Sequence, residues 1–207
     1  MGAVKLQTQV APTGTSGYVS IYADSTSGLL STIDSSSRAA PLMPFLGMFS
    51  SSNFTGTNVN TAQPIFDTTL DTITVIGSTA YIIDAHFHIE TTGTTSHTLS
   101  LLFGGTATFT SIGYGAWVTN AATEVLGTPS TIWSSVATAT AVSSALASAT
   151  HHTVIMKGIM RINAAGTVIP QYQWSAAPGV AGVTLANSYF MLHPIGINTR
   201  TLVGPVA

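Results

Sequence analysis

The residues best suited to chemistry in this sequence are its histidines, because six histidines stand beside only five Lys and Arg and seven Asp and Glu. His86 and His88 are two residues apart, and Asp84 and Glu90 flank them. On a β-strand this spacing places all four side chains on one face, where two imidazoles and a carboxylate can surround a metal ion. The same residues also suit an ordinary polar sheet surface, and no third ligand is identified. We therefore predict no metal site in a single chain. His86 and His88 stay candidate ligands for an ion that several copies of the chain in a trimer would bind together.

No catalytic arrangement stands out. The sequence has no G-x-S-x-G turn, no phosphate-binding loop or dinucleotide fingerprint, and no cysteine. Most Asp and Glu residues lie in Ser- and Thr-rich turns, and no pair is placed for acid–base work. His151 and His152 are adjacent, so a strand would point them to opposite faces. We predict that the protein is not an enzyme and uses no cofactor.

The low proportion of charged residues is typical of a subunit of a larger assembly. Charged residues make up 6% of the 207 residues, whereas soluble domains carry about 25%. A free monomer keeps a charged surface for solubility, so this composition favours a subunit or a hydroxyl-rich surface. The few scattered Lys and Arg residues exclude nucleic acid as the partner. The sequence contains no run of eighteen apolar residues, so we predict no membrane-spanning segment.

Alternating apolar and polar residues predict a β-protein. Tyr81 to Glu90 is the clearest case, because Ile83, Ala85, Phe87 and Ile89 share one face of a strand. Turn residues separate the stretches, which predicts an all-β antiparallel jelly-roll sandwich with an extended N-terminal β arm. Strands are predicted at Thr72 to Ile76, Tyr81 to Glu90, Thr98 to Phe103, Ala107 to Thr119, Thr153 to Asn163, Val168 to Trp174 and Val183 to Leu192.

Two domains follow from this pattern, an arm over residues 1–52 and a jelly-roll domain with a short tail over residues 53–207. Within the arm, Tyr18 to Tyr22 is strand-like and Asp24 to Gly28 has turn chemistry, which predicts a hairpin. Ser35 to Phe49 is apolar without a clear period and contains two prolines, which favours an extended segment on a neighbouring subunit or a flexible linker. Ser134 to Thr150 is predicted to be a loop with one strand or helical turn. The candidate contacts to other subunits or to a capsid are Tyr18, Ile21, Tyr22, Leu42 and Phe45.

The aromatic residues on the predicted strands allow two interpretations. They form either part of the core or a stacking platform for a sugar, and alternating aromatics on strands more often belong to a core. The residues concerned are Tyr114, Trp117, Trp133, Tyr172 and Trp174.

Two segments resemble parts of tailed-phage virion proteins. Gly17 to Leu42, GYVSIYADSTSGLLSTIDSSSRAAPL, resembles a segment in which Gly-x-Val-x-Ile/Leu-Tyr-Ala precedes a polar turn, a glycine and a leucine. The ending AGVTLANSYFMLHPIGINT is similar to the last strand of trimeric jelly rolls of the tumour necrosis factor and complement type. That similarity implies that Tyr189 and Phe190 belong to the inner sheet.

The resemblance implies a trimeric structural protein of the virion. Such a protein is made in the host cytoplasm and decorates the capsid surface as a cement protein, with the major capsid protein as its partner. We expect residues 1–52 to anchor it there. The alternative is a fibre or receptor-binding protein that recognises glycans of the host surface.

Overall fold

The structure is a computed structural model that describes residues 8–9, 13, 20–24, 30–33, 39–41, 45–67, 71–121, 128–147 and 150–199. The described residues form strands and no helix, which confirms the predicted all-β class. The chain divides into two compact units, Met1–Pro44 and Phe45–Ala207. The division lies earlier than the predicted boundary after residue 52.

The described residues of the first unit form a sheet in the order β1-β2-β3-β4. β2 and β3 pair antiparallel with Ser20 opposite Ile33, as the hairpin pattern predicts. β1 joins the edge of this sheet in parallel to β2. The strands are β1 Thr8–Gln9, β2 Ser20–Asp24, β3 Leu30–Ile33 and β4 Ala39–Pro41.

The second unit is a sandwich of antiparallel sheets, as predicted, and its jelly-roll connectivity stays a prediction. The smaller sheet has the order β13-β10-β15-β7, and β8 also pairs with β15. The bounds of its strands are β7 Gln63–Pro64, β8 Ile73–Val75, β10 Leu99–Gly104, β13 Thr140–Ala141 and β15 Gly166–Trp174.

The larger sheet has the order β12-β11-β14-β9-β16-β6, and β17 pairs with both β9 and β5. Beside β9, β16 therefore covers the end near Glu90 and β17 covers the rest. The strands are β5 Leu46–Phe49, β6 Phe54–Thr55, β9 Thr79–Thr91, β11 Thr108–Ala121, β12 Thr128–Ser134, β14 Thr150–Ala164, β16 Val183–Thr184 and β17 Tyr189–Ile197.

The core fills the space between these two sheets. Burial alternates along β9 with the predicted period, because Ile83, Ala85, Phe87 and Ile89 are all buried. Phe103 of the smaller sheet packs across the gap, with its ring 6.0 Å from that of Phe190. Phe190 is fully buried on the inner side of the larger sheet. The alternation therefore determines which face of each long strand packs in the core and which is exposed to solvent.

Several segments differ from the expectations. Leu46–Phe49 pairs with β17 as an edge strand of the sandwich, whereas the two prolines and the missing period of Ser35 to Phe49 favoured an extended segment on a neighbouring subunit or a flexible linker. Val183 to Leu192 is two strands, since Asn187 adopts a positive φ of 68° between them. β12 was not predicted. Within Ser134 to Thr150, the described residues contain the two-residue strand β13 and a bridge at Leu146.

Candidate functional site

The outer side of the larger sheet is the surface that its strand register builds most regularly. We define the outer face as the solvent-side residues of β12, β11, β14, β9, β17 and β5. Its central row crosses six strands and consists of Thr131, Trp117, Ile155, His86, Tyr189 and Phe49. A second row consists of Trp133, Gly115, Lys157, Asp84, Met191 and Gly47.

Several large apolar side chains lie exposed on this outer face. Ile159 and Ile82 are cross-strand neighbours in a third row, beside the two rows above. Six apolar side chains of the face are between 42% and 72% exposed, namely Ile82, Ile155, Ile159, Trp117, Phe49 and Trp133. A cluster of exposed apolar side chains on one face, here interrupted by the Lys157–Asp84 pair, is typical of an interaction surface.

The charges in the middle of the face neutralise each other. The Nζ atom of Lys157 lies 3.1 Å from Oδ2 of Asp84 on the neighbouring strand. The hydroxyl of Tyr189 donates to the other carboxylate oxygen of Asp84 at 3.4 Å. Loss of hydration, followed by the negative charge of Asp84, raises the pKa of Tyr189. The Asp84–Lys157 pair therefore adds no net charge to the apolar surroundings.

The two candidate metal ligands lie together on this face. The rings of His86 and His88 are 4.5 Å apart with an edge-to-face arrangement. Burial, and then the neighbouring His86, lower the pKa of His88, which favours its neutral form. Within the described part of the chain, however, no three His, Cys, Asp or Glu side chains converge on a point that could hold a metal.

A cleft of about 400 Å³ borders the histidine pair at one end of the face. His88, Glu90, His151 and Thr153 contribute to its wall, and Leu185 to Ala186 complete its rim. The Nδ1 atom of His151 lies 3.0 Å from Oε2 of Glu90. His151 and His152 indeed point to opposite sides of β14, since His152 is buried in the sandwich. The described residues of the cleft hold no nucleophile activated by this His–Glu pair.

The aromatic candidates separate into two groups. Tyr114, Tyr172 and Trp174 are buried in the core, whereas Trp117 and Trp133 are exposed on neighbouring strands of the outer face. The ring of Trp133 lies over a glycine, because a Cβ on Gly113 would be 3.0 Å from its Cζ2 atom. An exposed pair of indoles on a flat strand surface suits stacking against a sugar or packing against another protein.

Buried polar groups are concentrated between the sheets at the histidine end of the sandwich, a feature that the sequence did not indicate. The ring of Trp174 is 4.9 Å from that of His97 and 5.5 Å from that of His152. Burial, and then His97 and His151, lower the pKa of His152 to about 3. The buried atoms without a partner among the described residues include Nε2 of His97, both ring nitrogens of His152, Nε1 of Trp174, the hydroxyls of Tyr172 and Thr184, and Nε2 of Gln63.

The five candidate contacts from the N-terminal region have different outcomes. Tyr18 and Leu42 lie outside the described residues. Ile21 is exposed and Tyr22 is buried, as expected for neighbours on the strand β2. Phe45 is half-buried, and its ring lies 5.8 Å from the ring of His193 within the sandwich unit. Of the described candidates, Ile21 thus presents the most open apolar side chain.

Comparison of the chain with the profiles of known protein families and with curated proteins finds no match. Among the described residues, no helix is long and apolar enough to cross a membrane.

Proposed function

We propose that this protein is a structural subunit of a tailed-phage virion that associates as a homotrimer and decorates the capsid. The observation that carries the proposal is the outer face, where Trp117, Ile155 and Phe49 lie in one cross-strand row and are exposed. Burying them against other copies removes apolar surface from water at about 25 cal/mol per Å². Association with other copies would thus bury the apolar side chains that are exposed in the isolated chain.

The size of the outer face suits such an interface. Its six strands, at a spacing of about 4.8 Å, span roughly 24 Å. Along β9 the distance from Ile82 to His88 is roughly 20 Å at about 3.3 Å per residue. These dimensions give roughly 500 Å² in plan, before side-chain relief is counted, and standard interfaces bury about 800 Å² on each partner. In plan, the face therefore supplies more than half of the area that one partner buries in a standard interface.

The charge of the outer face favours a second copy of this chain as the occupant. Asp84 and Lys157 form an internal pair, and Glu90 lies beside His151. A face without net charge in its centre does not repel its own copy, whereas nucleic acid or a strongly charged partner requires a charged surface. The 6% of charged residues in the chain supports the same assignment.

The capsid role rests on the resemblance of Gly17 to Leu42 to tailed-phage virion proteins. We propose that this N-terminal region contacts the major capsid protein, which places the trimer on the outside of the virion. Ile21 is an exposed apolar side chain in this region, 56% accessible. An enzymatic role has less support, because the described residues contain no assembled catalytic site and the sequence contains no catalytic motif.

Co-sedimentation with capsids tests this proposal. Purified full-length protein is mixed with shells of the encoding phage from which it has been stripped, and the pellet is quantified. We expect saturable binding in multiples of three chains per site and higher shell resistance to heat. Absence of binding to the shells, by a protein that is itself a trimer, would contradict the decoration role.

A second function, recognition of host glycans by a fibre or receptor-binding protein, is favoured by one observation. Trp133 is 72% exposed and lies near Trp117 over a glycine-lined strip of β11. Adsorption assays separate the two functions. Trp133→Ala should leave host adsorption unchanged if the protein decorates the capsid, whereas loss of adsorption with an intact trimer would favour glycan binding.

A further inference from the structure

The spacing of the His86 and His88 rings matches that of two ligands on one metal ion. Their centroids are 4.5 Å apart. A zinc–nitrogen bond of about 2.0–2.1 Å places each imidazole centre about 3.2 Å from the metal, so two such rings lie roughly 4.5–5.2 Å apart at bond angles of 90–109°. The two rings already have the separation that chelation requires.

One ring of the pair is also oriented in the way that metal-binding histidines are. The Nδ1 atom of His88 lies 3.2 Å from Oγ1 of Thr153 on the neighbouring strand. Metal-ligating histidines use one ring nitrogen for such an orienting hydrogen bond and the other for the ion. His86 packs its ring 6.1 Å from that of Tyr189, and its nitrogens make no hydrogen bond to a described residue.

Among the residues that the structure describes, a single chain supplies two ligands at this position. The two carboxylates that flank the pair are engaged, since Asp84 contacts Lys157 at 3.1 Å and Glu90 contacts His151 at 3.0 Å. No group of three ligands occurs among the described residues. Further ligands are thus absent from the described part of the chain, and His86 lies within the face that we propose to meet other copies.

We infer that His86 and His88 are two ligands of a site for a divalent transition metal such as Zn²⁺. The same pair in other copies of the chain provides the remaining ligands. This inference rests on the proposed association through the outer face. In a symmetric oligomer, the same residues of different copies meet only at the rotation axis. The site therefore holds one ion per oligomer, and imidazole ligands favour zinc over calcium or magnesium.

Metal analysis of the full-length protein tests the site. The protein is treated with EDTA, desalted, incubated with Zn²⁺ and passed through gel filtration before zinc and protein are quantified. We expect one zinc per three chains, a higher Tm with zinc, and loss of both effects in His86→Gln and His88→Gln. His151→Gln is the matched control on the same face and should keep the zinc. Replacing zinc by Co²⁺ should give a visible absorption band from imidazole ligation in the wild type and the control alone.

The outcomes separate failure of the metal site from failure of the proposed function. An oligomer that forms in EDTA and binds no zinc, or binds it independently of His86 and His88, would contradict the metal site. It would leave the proposed association of the chains unaffected. A protein that is monomeric in EDTA and in zinc overturns the association through the outer face, and the shared site with it.

Discussion

Gly158 of β14 pairs with Tyr114 of β11, and a side chain at position 158 would place its Cβ only 2.6 Å from the Cβ of Tyr114. The carbonyl oxygen of Gly113 would be closer still. Tyr114 is fully buried and packs edge-to-face with Phe103 of the opposite sheet. A glycine at position 158 therefore allows the longest strand pair of the sandwich to close over the core.

Gly158→Ala should destabilise the sandwich by about 1–3 kcal/mol, as overpacking of a core does, because backbone atoms of β11 must move. Gly115→Ala is the matched control on the paired strand. The nearest atom to a Cβ there is 3.7 Å away, an ordinary contact. Urea denaturation of both variants measures the difference. Equal stability of the two would show that the strands relax without cost and would contradict the account of the packing.

Ile155→Glu should break the oligomer without unfolding the chain. Ile155 is 43% exposed in the centre of the outer face, so a carboxylate there costs little in a monomer. In the interface it would be buried without a partner, which costs several kcal/mol. Native mass and circular dichroism measure the two effects.

The control for that change is Val180→Glu, because Val180 is similarly exposed but lies in the loop before β16. We expect this variant to keep the native mass of the wild type. A persistent oligomer in Ile155→Glu would instead place the interface elsewhere on the protein.

The buried His152 should make the protein less stable in acid. Its pKa is about 3 in the folded state because of burial, and an unfolded chain returns it to about 6.5. The contribution of neutral His152 to stability is therefore fully present above pH 6.5 and is lost as the pH falls from about 6.5 toward 3, by up to about 1.4 kcal/mol per pH unit.

Thermal or urea denaturation between pH 7 and pH 4 measures this loss. His152→Leu should flatten the acid side of the profile, and the same substitution at His151, which is only partly buried, should change it much less. If the profile of His152→Leu parallels that of the wild type, the imidazole is not the group that acid titrates.

Removal of residues 1–44 should leave the sandwich folded. The residues of its described hydrophobic core all lie between Met48 and Leu192, so the truncation deletes none of them. We expect the truncated protein to keep its Tm within a few degrees and its number of chains per oligomer, and to lose binding to stripped capsids. Undiminished binding would contradict anchoring by the N-terminal region. This variant keeps β5, which a deletion of residues 1–52 would remove.

Periodicity predicted the long strands well. Every second residue is buried from Tyr81 to Thr91 in β9 and, apart from Gly158, from Thr150 to Ile162 in β14, so the faces of Ile83 and Met156 follow from alternation alone. The hairpin of β2 and β3 follows from turn chemistry. These features depend on residues close in sequence, which is why the sequence reveals them.

Features that depend on long-range pairing could not be predicted. β5 and β17 pair although most of the sequence of the sandwich unit separates them. The four residues of β5 form too short a pattern to predict a strand or its partner. Alternation places Tyr114 and Trp117 on opposite faces of β11, but only the register with β14 and β12 decides which face is covered. The proximity of His97 to His152 likewise arises from packing of the two sheets.

The most direct test of the account is the native mass of the full-length protein, measured by analytical ultracentrifugation at micromolar concentration in physiological salt. The account predicts a mass of three chains of 21.3 kDa, retained on dilution. A stable monomer with Trp117, Ile155 and Phe49 open to solvent would contradict it, because the outer face would then have no partner in copies of the chain.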